Sequence, residues 1–392
     1  MAEPLDSAFV KESALAAGFH KVGIARAEPL EAGPLDRMLA RGYEADMVWL
    51  RTQRAARLDP SRLLPGARSV VALAVSYLEE EGADEPGGGR VARYARGRDY
   101  HAVMKHKLKH LVERLHSRDP DARCFASADI APVMERAWAQ RAGIGWIGKN
   151  GCLITTDLGS WVLLATVIVD RELAPDAPHP ERCGSCAECI PACPTRAIPE
   201  PGLVDARRCI SFHTIERRGT IPEEIAARLG PWVFGCDDCQ TVCPWNRAPA
   251  ARCDPELRAR PGQRALDLDG LLALSFEEYQ HRFYGTALAR ARYDGLVRNA
   301  LFAAAHAGDP RRAPAIRAHL ESAFEGVRAA ARWALAYLED AAGQRAPELE
   351  GGETGGSSRS ERAPKAQPPA RAERAGGVGG PQQSEAPPSR SR

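Results

Sequence analysis

The chain has 392 residues and a formal net charge of +2, with 53 Lys and Arg against 51 Asp and Glu. That length allows two or three domains with their own cores, and the near balance of charge excludes a uniformly basic nucleic-acid binder, so any basic face has to be local. The most apolar run, 161–169, is far short of the ~18 residues that cross a bilayer, and the N-terminus carries no basic-then-apolar export signal.

In chain order, 5–17 reads as an amphipathic helix closed by Gly18, and 21–25 as a short buried strand. Residues 35–41 are helical and 42–58 partly so. The run 69–77 has the continuous apolar character of a central strand, and the Gly- and Glu-rich stretch 79–89 that of a surface loop. A helix over 102–116 is followed by a strand at 124–130 and a helix at 133–141. Strands at 152–156 and 160–170 are expected to pair as a hairpin across the Asp157-Leu158-Gly159 turn. These elements predict a mixed α+β domain over 1–178.

Eight of the 11 cysteines fall between Cys183 and Cys243. Cys183, Cys186, Cys189 and Cys193 have the C-x2-C-x2-C-x3-C-P spacing of bacterial ferredoxins, in which the fourth cysteine serves the other cluster. Cys236, Cys239 and Cys243 supply a second run, with Cys209 upstream. Crossed ligation predicts one [4Fe–4S] cluster on Cys183, Cys186, Cys189 and Cys243, and a second on Cys193, Cys209, Cys236 and Cys239. Structural zinc uses paired knuckles rather than a triple with a following Cys-Pro. A disulfide framework does not suit sulfurs this close in a chain expected in the reducing cytoplasm. Two clusters in one module, 179–250, read as an electron path.

Residues 260–342 are almost all helical. Val297-Arg298-x-Ala300 recurs as Val327-Arg328-x-Ala330, which suggests HEAT-like helix pairs or an ordinary helical bundle. From 343 to 392 the sequence lacks large apolar residues and is expected to be disordered.

Other motifs are weaker. Gly143-x4-Gly148-Lys149 looks like a phosphate loop, but Asn150 stands where Ser or Thr would hold magnesium, and the segment follows a helix rather than a strand. Its glycines suit either close approach to a flat ligand or a tight connection. Asp129 is either a helix cap, the favoured reading from the residues alone, or a site acid. Cys124, Cys152 and Cys253 read as buried or incidental thiols, and His101, His106, His110 and His116 as a solvated or phosphate-facing helix surface.

Taken together, RLDPSRLLPGARSVV, RYARGRDYH, DIAPVMERAWAQRAGIGWIGKNG, the double cysteine run, DARRCISFHTIE and GCDDCQTVCPWNR resemble the epoxyqueuosine reductase family over about 54–247. The resemblance implies a nitroreductase-like scaffold that holds cobalamin, with the clusters feeding electrons to give cob(I)alamin. It implies that Arg57, Asp129, Leu153, Thr155 and Leu164 lie against the corrin, with Glu216 and Gln240 as further candidates. It gives Asp129 the role of general acid, with a pKa raised by burial, on an epoxide in the wobble base of a tRNA anticodon stem-loop. An external electron donor is required, no membrane partner is expected, and the chain is expected to act as a cytoplasmic monomer. Arg298, Arg311, Arg312, Arg317 and Arg328 are the expected phosphate grip. Two rival readings are a dehalogenase-like enzyme acting on a small molecule, against which the helical C-terminal region counts, and a dicluster carrier, which would not need about 180 residues ahead of its clusters.

Overall fold

The expected central strand forms as Ser69–Ser76 and is buried along its whole length. Its odd positions, Val71, Leu73 and Val75, pack on one side with Val10, Phe19, Leu111 and Leu115. Its even positions, Val70, Ala72 and Ala74, pack on the other with Trp138, Ala139 and Ile168. Alternating side chains therefore serve two cores, which is why the strand reads as one unbroken apolar run. The structure is a computed structural model and describes residues 4–79, 88–247 and 252–345.

Among the described residues the strands are β1 (Lys21–Arg26), β2 (Ser69–Ser76), β3 (Gly89–Val91), β4 (Cys124–Ser127), β5 (Trp146–Ile147), β6 (Leu153–Ile154), β7 (Val162–Val169), β8 (Trp232–Phe234) and β9 (Ala265–Leu266). The main sheet has the order β1-β2-β7-β4 and is antiparallel throughout. Helices Ser7–Ala16 and Tyr100–Arg118 cover one face and Glu135–Arg141 the other. The α+β character expected for the N-terminal region holds.

The expected hairpin does not form. β6 pairs with β5 instead, and β7 pairs with β2 and β4. What remains of the hairpin is one bridge, Thr155 to Gly159. The reason lies just after the turn, where the Ser160 N–H donates to Asn246 Oδ1 at 2.7 Å and draws the chain toward the cysteine segment. β4 also stops at Ser127 rather than at residue 130, because Asp129 adopts a left-handed φ of 63° that no strand continues through.

A second sheet, in the order β8-β3-β9, joins the N-terminal region, the cysteine segment and the C-terminal helices. One hydrophobic core then runs from Val91 through Ile210 and Phe234 to Leu296 and Val327. The described residues up to Arg345 thus belong to one compact unit. The surface loop expected at 79–89 lies mostly outside the described residues, as does the tail beyond 345. Residues 343–345, expected to begin the disordered tail, close the helix Glu325–Arg345.

The repeated motif falls on the helices Arg292–Ala307 and Glu325–Arg345, which pack together. Val297, Ala300, Val327 and Ala330 are all buried, so the repeat marks the core face. Arg298 lies on that face too, 2% exposed, which corrects its expected role in gripping phosphates. Its guanidinium donates to His213 O and Gly219 O at 2.7 Å and to Arg217 O at 3.0 Å. Arg328 donates to Ser322 O, and Arg312 pairs with Asp269 at 2.7 Å with its side chain 15% exposed. Of the five expected grip residues, Arg311 and Arg317 are exposed.

Replacing Arg298 by Leu leaves three carbonyls without their donor in a dry core. The expected cost is on the order of 3 kcal/mol or more, seen as a lower Tm by calorimetry, with tRNA affinity of the folded protein unchanged. A loss of tRNA affinity at unchanged Tm would restore the phosphate-gripping role.

Candidate functional site

The segment 171–209, which carries five of the eight cluster cysteines, has no helix or strand of its own. Its backbone polar groups need partners from elsewhere. The loop Ala142–Gly151 supplies many of them. Lys149 Nζ donates to Gly184 O at 2.7 Å and Cys186 O at 2.8 Å, and Asn150 Nδ2 donates to Cys239 O at 3.3 Å. Trp146 Nε1 lies 3.5 Å from Cys183 Sγ, and Trp146 packs edge-on to Trp245. The glycines of this loop serve close packing rather than a flat ligand. A Cβ on Gly145 would lie 2.1 Å from Ile154 O, and one on Gly148 would lie 2.4 Å from Ile154 Cδ1. The apparent phosphate loop is thus the support of the cysteine segment.

All 11 cysteines are free thiols. Burial pushes the cluster-segment thiols Cys189, Cys209, Cys236, Cys239 and Cys243 above their ordinary range, and mutual repulsion adds to it. That repulsion sorts the sulfurs. Cys189 feels Cys183, Cys243 and Cys186, whereas Cys239 feels Cys152 first and then Cys209, Cys236 and Cys193. Among the described residues no three His, Cys, Asp or Glu side chains converge on a single-ion site. Cys152 is not incidental in position. It lies near both groups, with its thiol pushed up to about 11 chiefly by burial. Cys193 Sγ also accepts the Ala197 N–H at 3.2 Å, a tie that fixes the Cys-Pro turn.

Asp129 stands between β4 and the helix Glu135–Arg141. It does not cap that helix, whose N-cap is Met134 without a side-chain bond. Instead Glu135 Oε1 accepts the Asp129 N–H at 3.1 Å, holding the left-handed turn. The Asp129 carboxylate is 64% exposed. Tyr100 Oη donates to its Oδ2, and His101 Nε2 faces the same oxygen at 3.5 Å. The His101 contact, against the opposing effect of burial, lowers the Asp129 pKa. His101 is pushed up to about 9, chiefly by Asp129 and Asp99, so the pair's proton rests on the imidazole. His101 is therefore a site residue, not part of a solvated face, although His106 and His110 are exposed as expected.

The other expected residues divide. Arg57 is half-buried beside Asp129 and Glu135, and its Nε is buried without a hydrogen-bond partner. Leu164 is half-buried at the start of β7. Gln240 Oε1 accepts from Ser160 Oγ at 2.9 Å, next to the buried Asp237. Glu216 pairs with Arg290 at 2.7 Å, and Arg290 in turn feels Asp129 and Tyr100. Leu153 is 3% exposed and Thr155 fully buried, its hydroxyl donating to Gly159 O and accepting the Leu158 N–H. Their side chains are spent on the protein's own packing. Tyr100, His101, Glu135 and Lys149 were missed as site residues. The signal was available in RYARGRDYH, whose Asp-Tyr-His opens a helix that points its first turn at Asp129.

The family model described as "4Fe-4S double cluster binding domain" matches residues 182–246, and that described as "Epoxyqueuosine reductase QueG, DUF1730" matches 57–129. The epoxyqueuosine reductase of Gloeobacter violaceus is 45% identical over 312 residues, covering 77% of this chain and 97% of the relative. The chain belongs to the epoxyqueuosine reductase family. The Escherichia coli reductase is 38% identical over 76% of this chain and 82% of its own length. A crystal structure of an epoxyqueuosine reductase with a tRNA-Tyr epoxyqueuosine-modified stem loop superposes with a TM-score of 0.77 at 32% identity, covering 86% of this chain and 94% of that one. The Bacillus subtilis epoxyqueuosine reductase, solved with its catalytic loop swung out of the active site, gives 0.76 at 31% identity over 87% and 94%. As a member of this reductase family, the chain is an oxidoreductase that acts on epoxyqueuosine and carries a double [4Fe–4S] segment.

Lys149→Ala removes the only side-chain donor shared by Gly184 O and Cys186 O among the described residues. Anaerobic reconstitution is expected to yield about four irons per chain instead of about eight, with the second cluster retained in the EPR spectrum. An unchanged iron content would show that the first loop holds itself.

Proposed function

We propose that the chain reduces the epoxide of epoxyqueuosine at the wobble position of tRNA, with cobalamin held in the Asp129 cleft and two clusters as the electron route. The carrying observation is the Asp129 carboxylate, joined to Tyr100 and His101 and 64% exposed. The fit to a large amide-rich ligand rests on the unpartnered Arg57 Nε, a donor suited to a corrin amide carbonyl, and on half-buried Leu164 and Gln240. Leu153 and Thr155 have only backbone left to offer. When bound, cobalamin supplies a low-valent cobalt that can deliver electrons to an epoxide carbon. The fold reading that accompanies this is a nitroreductase-like N-terminal part, residues 1–178, a ferredoxin-like module, 179–250, and HEAT-like helices, 260–342. The protein works as a cytoplasmic monomer supplied by an external electron donor.

The protein's own part is to place a proton at the departing oxygen. Asp129 Oδ2 is the donor, held by Tyr100 Oη and loaded from His101. With cofactor and base in the cleft, water leaves a carboxylate that is otherwise 64% exposed, and desolvation drives its pKa upward toward the range a general acid needs. The base has to leave its stack to arrive there. Its stem phosphates meet Arg311, whose side chain is 89% exposed, and exposed Arg317. Removing the helices from 266 onward is not a clean test of this grip, because they share one core with β8 and the cysteine segment.

Asp129→Asn is expected to lower single-turnover reduction of epoxyqueuosine tRNA by about 10²-fold or more while iron, cobalt and tRNA binding stay as in the parent. Full turnover with normal cobalamin would remove Asp129 from the reaction. Arg311→Glu with Arg317→Glu is expected to weaken tRNA binding several-fold and flatten its salt dependence; an unchanged Kd and salt slope would put the grip elsewhere.

A further inference from the structure

Deoxygenating an epoxide sets a proton count that one carboxylate cannot meet in a single charge. Both C–O bonds break, one C=C bond forms and the oxygen leaves as water. The change consumes two electrons, which the clusters supply, and two protons. Asp129 holds one proton at a time, so a reservoir must reload it.

One candidate touches the carboxylate directly. Asp99 caps the helix Tyr100–Arg118, accepting the His101 N–H at 2.9 Å. The same Oδ1 lies 2.8 Å from His101 Nδ1. That contact fixes the ring with Nδ1–H toward Asp99 and turns Nε2 toward Asp129 Oδ2 at 3.5 Å. The Tyr100 ring stacks on the imidazole with centroids 4.0 Å apart, and the Asp99 N–H is tied to Gly285 O at 3.2 Å, so the arrangement is braced from two sides.

We propose that His101, oriented by Asp99, is the proton reservoir that reloads Asp129, so that both protons of the reduction pass along the file Asp99–His101–Asp129. This rests on Asp129 acting as the acid. The imidazolium Nε2–H gives its proton to Asp129 Oδ2 and the ring is left neutral, still donating from Nδ1 to Asp99. The ring side chain is 38% exposed and regains its proton from solvent. Tyr100 stays a donor throughout, since burial pushes its phenol well above the ordinary range.

The groups facing the pair decide its charge. Asp99 and Tyr100 come from the same helix, Asp129, Glu135 and Arg136 from the segment after β4, and Arg57, Tyr94 and the Glu216–Arg290 pair from the rest of the cleft. Two carboxylates outweigh burial at His101, which is why the ring is charged at neutral pH. Glu135 is the rival source, with its carboxyl pushed up to about 7 chiefly by burial. It meets the Asp129 backbone N–H, however, and not the carboxylate. Its part is to hold the turn.

The test uses reconstituted holoenzyme, epoxyqueuosine tRNA and single turnover across pH. The proposal expects the parent's rate to fall along an alkaline limb as the His101 ring loses its proton. It expects His101→Ala to lose about 10²-fold in rate with tRNA Kd unchanged, and added imidazole to restore most of it. Asp99→Asn should move the limb to lower pH, and the His101 ring titration followed by NMR should move the same way. Glu135→Gln should keep the limb. His101→Gln, which fills the space without titrating, should behave as His101→Ala without rescue. The reservoir is overturned by a His101→Ala enzyme that keeps its rate, by a loss that imidazole does not restore, or by a limb that vanishes with Glu135→Gln. If Asp129→Asn is inactive while His101→Ala is fully active, the reservoir alone falls. A fully active Asp129→Asn would take the acid role down with it.

Discussion

The fold turns on how a stretch of chain with almost no regular structure can be held still enough to present the eight cluster cysteines, of which Cys243 is buried and the other seven half-buried. Between 171 and 209 the backbone forms neither helix nor strand, so nothing in that segment orders it alone. Order comes from donors on every side. Lys149 reaches in from the N-terminal region to Gly184 O and Cys186 O, Arg228 ties Pro194 O from beyond the segment and Arg208 ties Thr195 O within it, while Asn150 and Arg298 hold the stretch that follows at Cys239 O and at carbonyls 213, 217 and 219. Each fixes a backbone carbonyl with a side-chain donor. This explains why one core runs from Val91 to Leu338 and why the three regions form one unit rather than beads on a string.

The same ties explain which parts of the molecule could be read in the sequence. Cysteine spacing is a local signal, readable without the fold, and the family model for a double cluster matches residues 182–246. The β2 run was legible because a strand buried on both faces must be apolar at every position. Arg298 was not, since arginine carries no mark that separates a solvent-facing cation from one that bonds three carbonyls in a core. The glycines around Trp146 left two readings open for a related reason: glycine reports a close approach but not what approaches, and here it is Ile154, by its carbonyl at Gly145 and its side chain at Gly148. The hairpin stops at its turn, which forms, because just beyond it Ser160 is bonded to Asn246, 86 residues away.

Asp129 shows the limit most sharply. Its position before a proline suited a cap, and its left-handed φ is visible only in three dimensions. Burial and partner pull its pKa in opposite directions, and His101 prevails while the cleft is open. Non-glycine residues are held in this conformation where the surroundings over-determine them, and here Glu135, Tyr100 and His101 do so together. The site is thus poised: ionised when water reaches it, and driven toward the protonated form as ligands exclude water.

The central claim is that the thiols and the Asp129 cleft serve one electron path ending at a cobalamin. The direct measurement is anaerobic reconstitution with iron, sulfide and cobalamin, followed by metal analysis and EPR with stepwise reduction. The account predicts about eight irons and one cobalt per chain, with the cobalt signal changing only after the clusters take up electrons. Eight irons with no bound cobalt, or cobalt that reduces independently of the clusters, would contradict it.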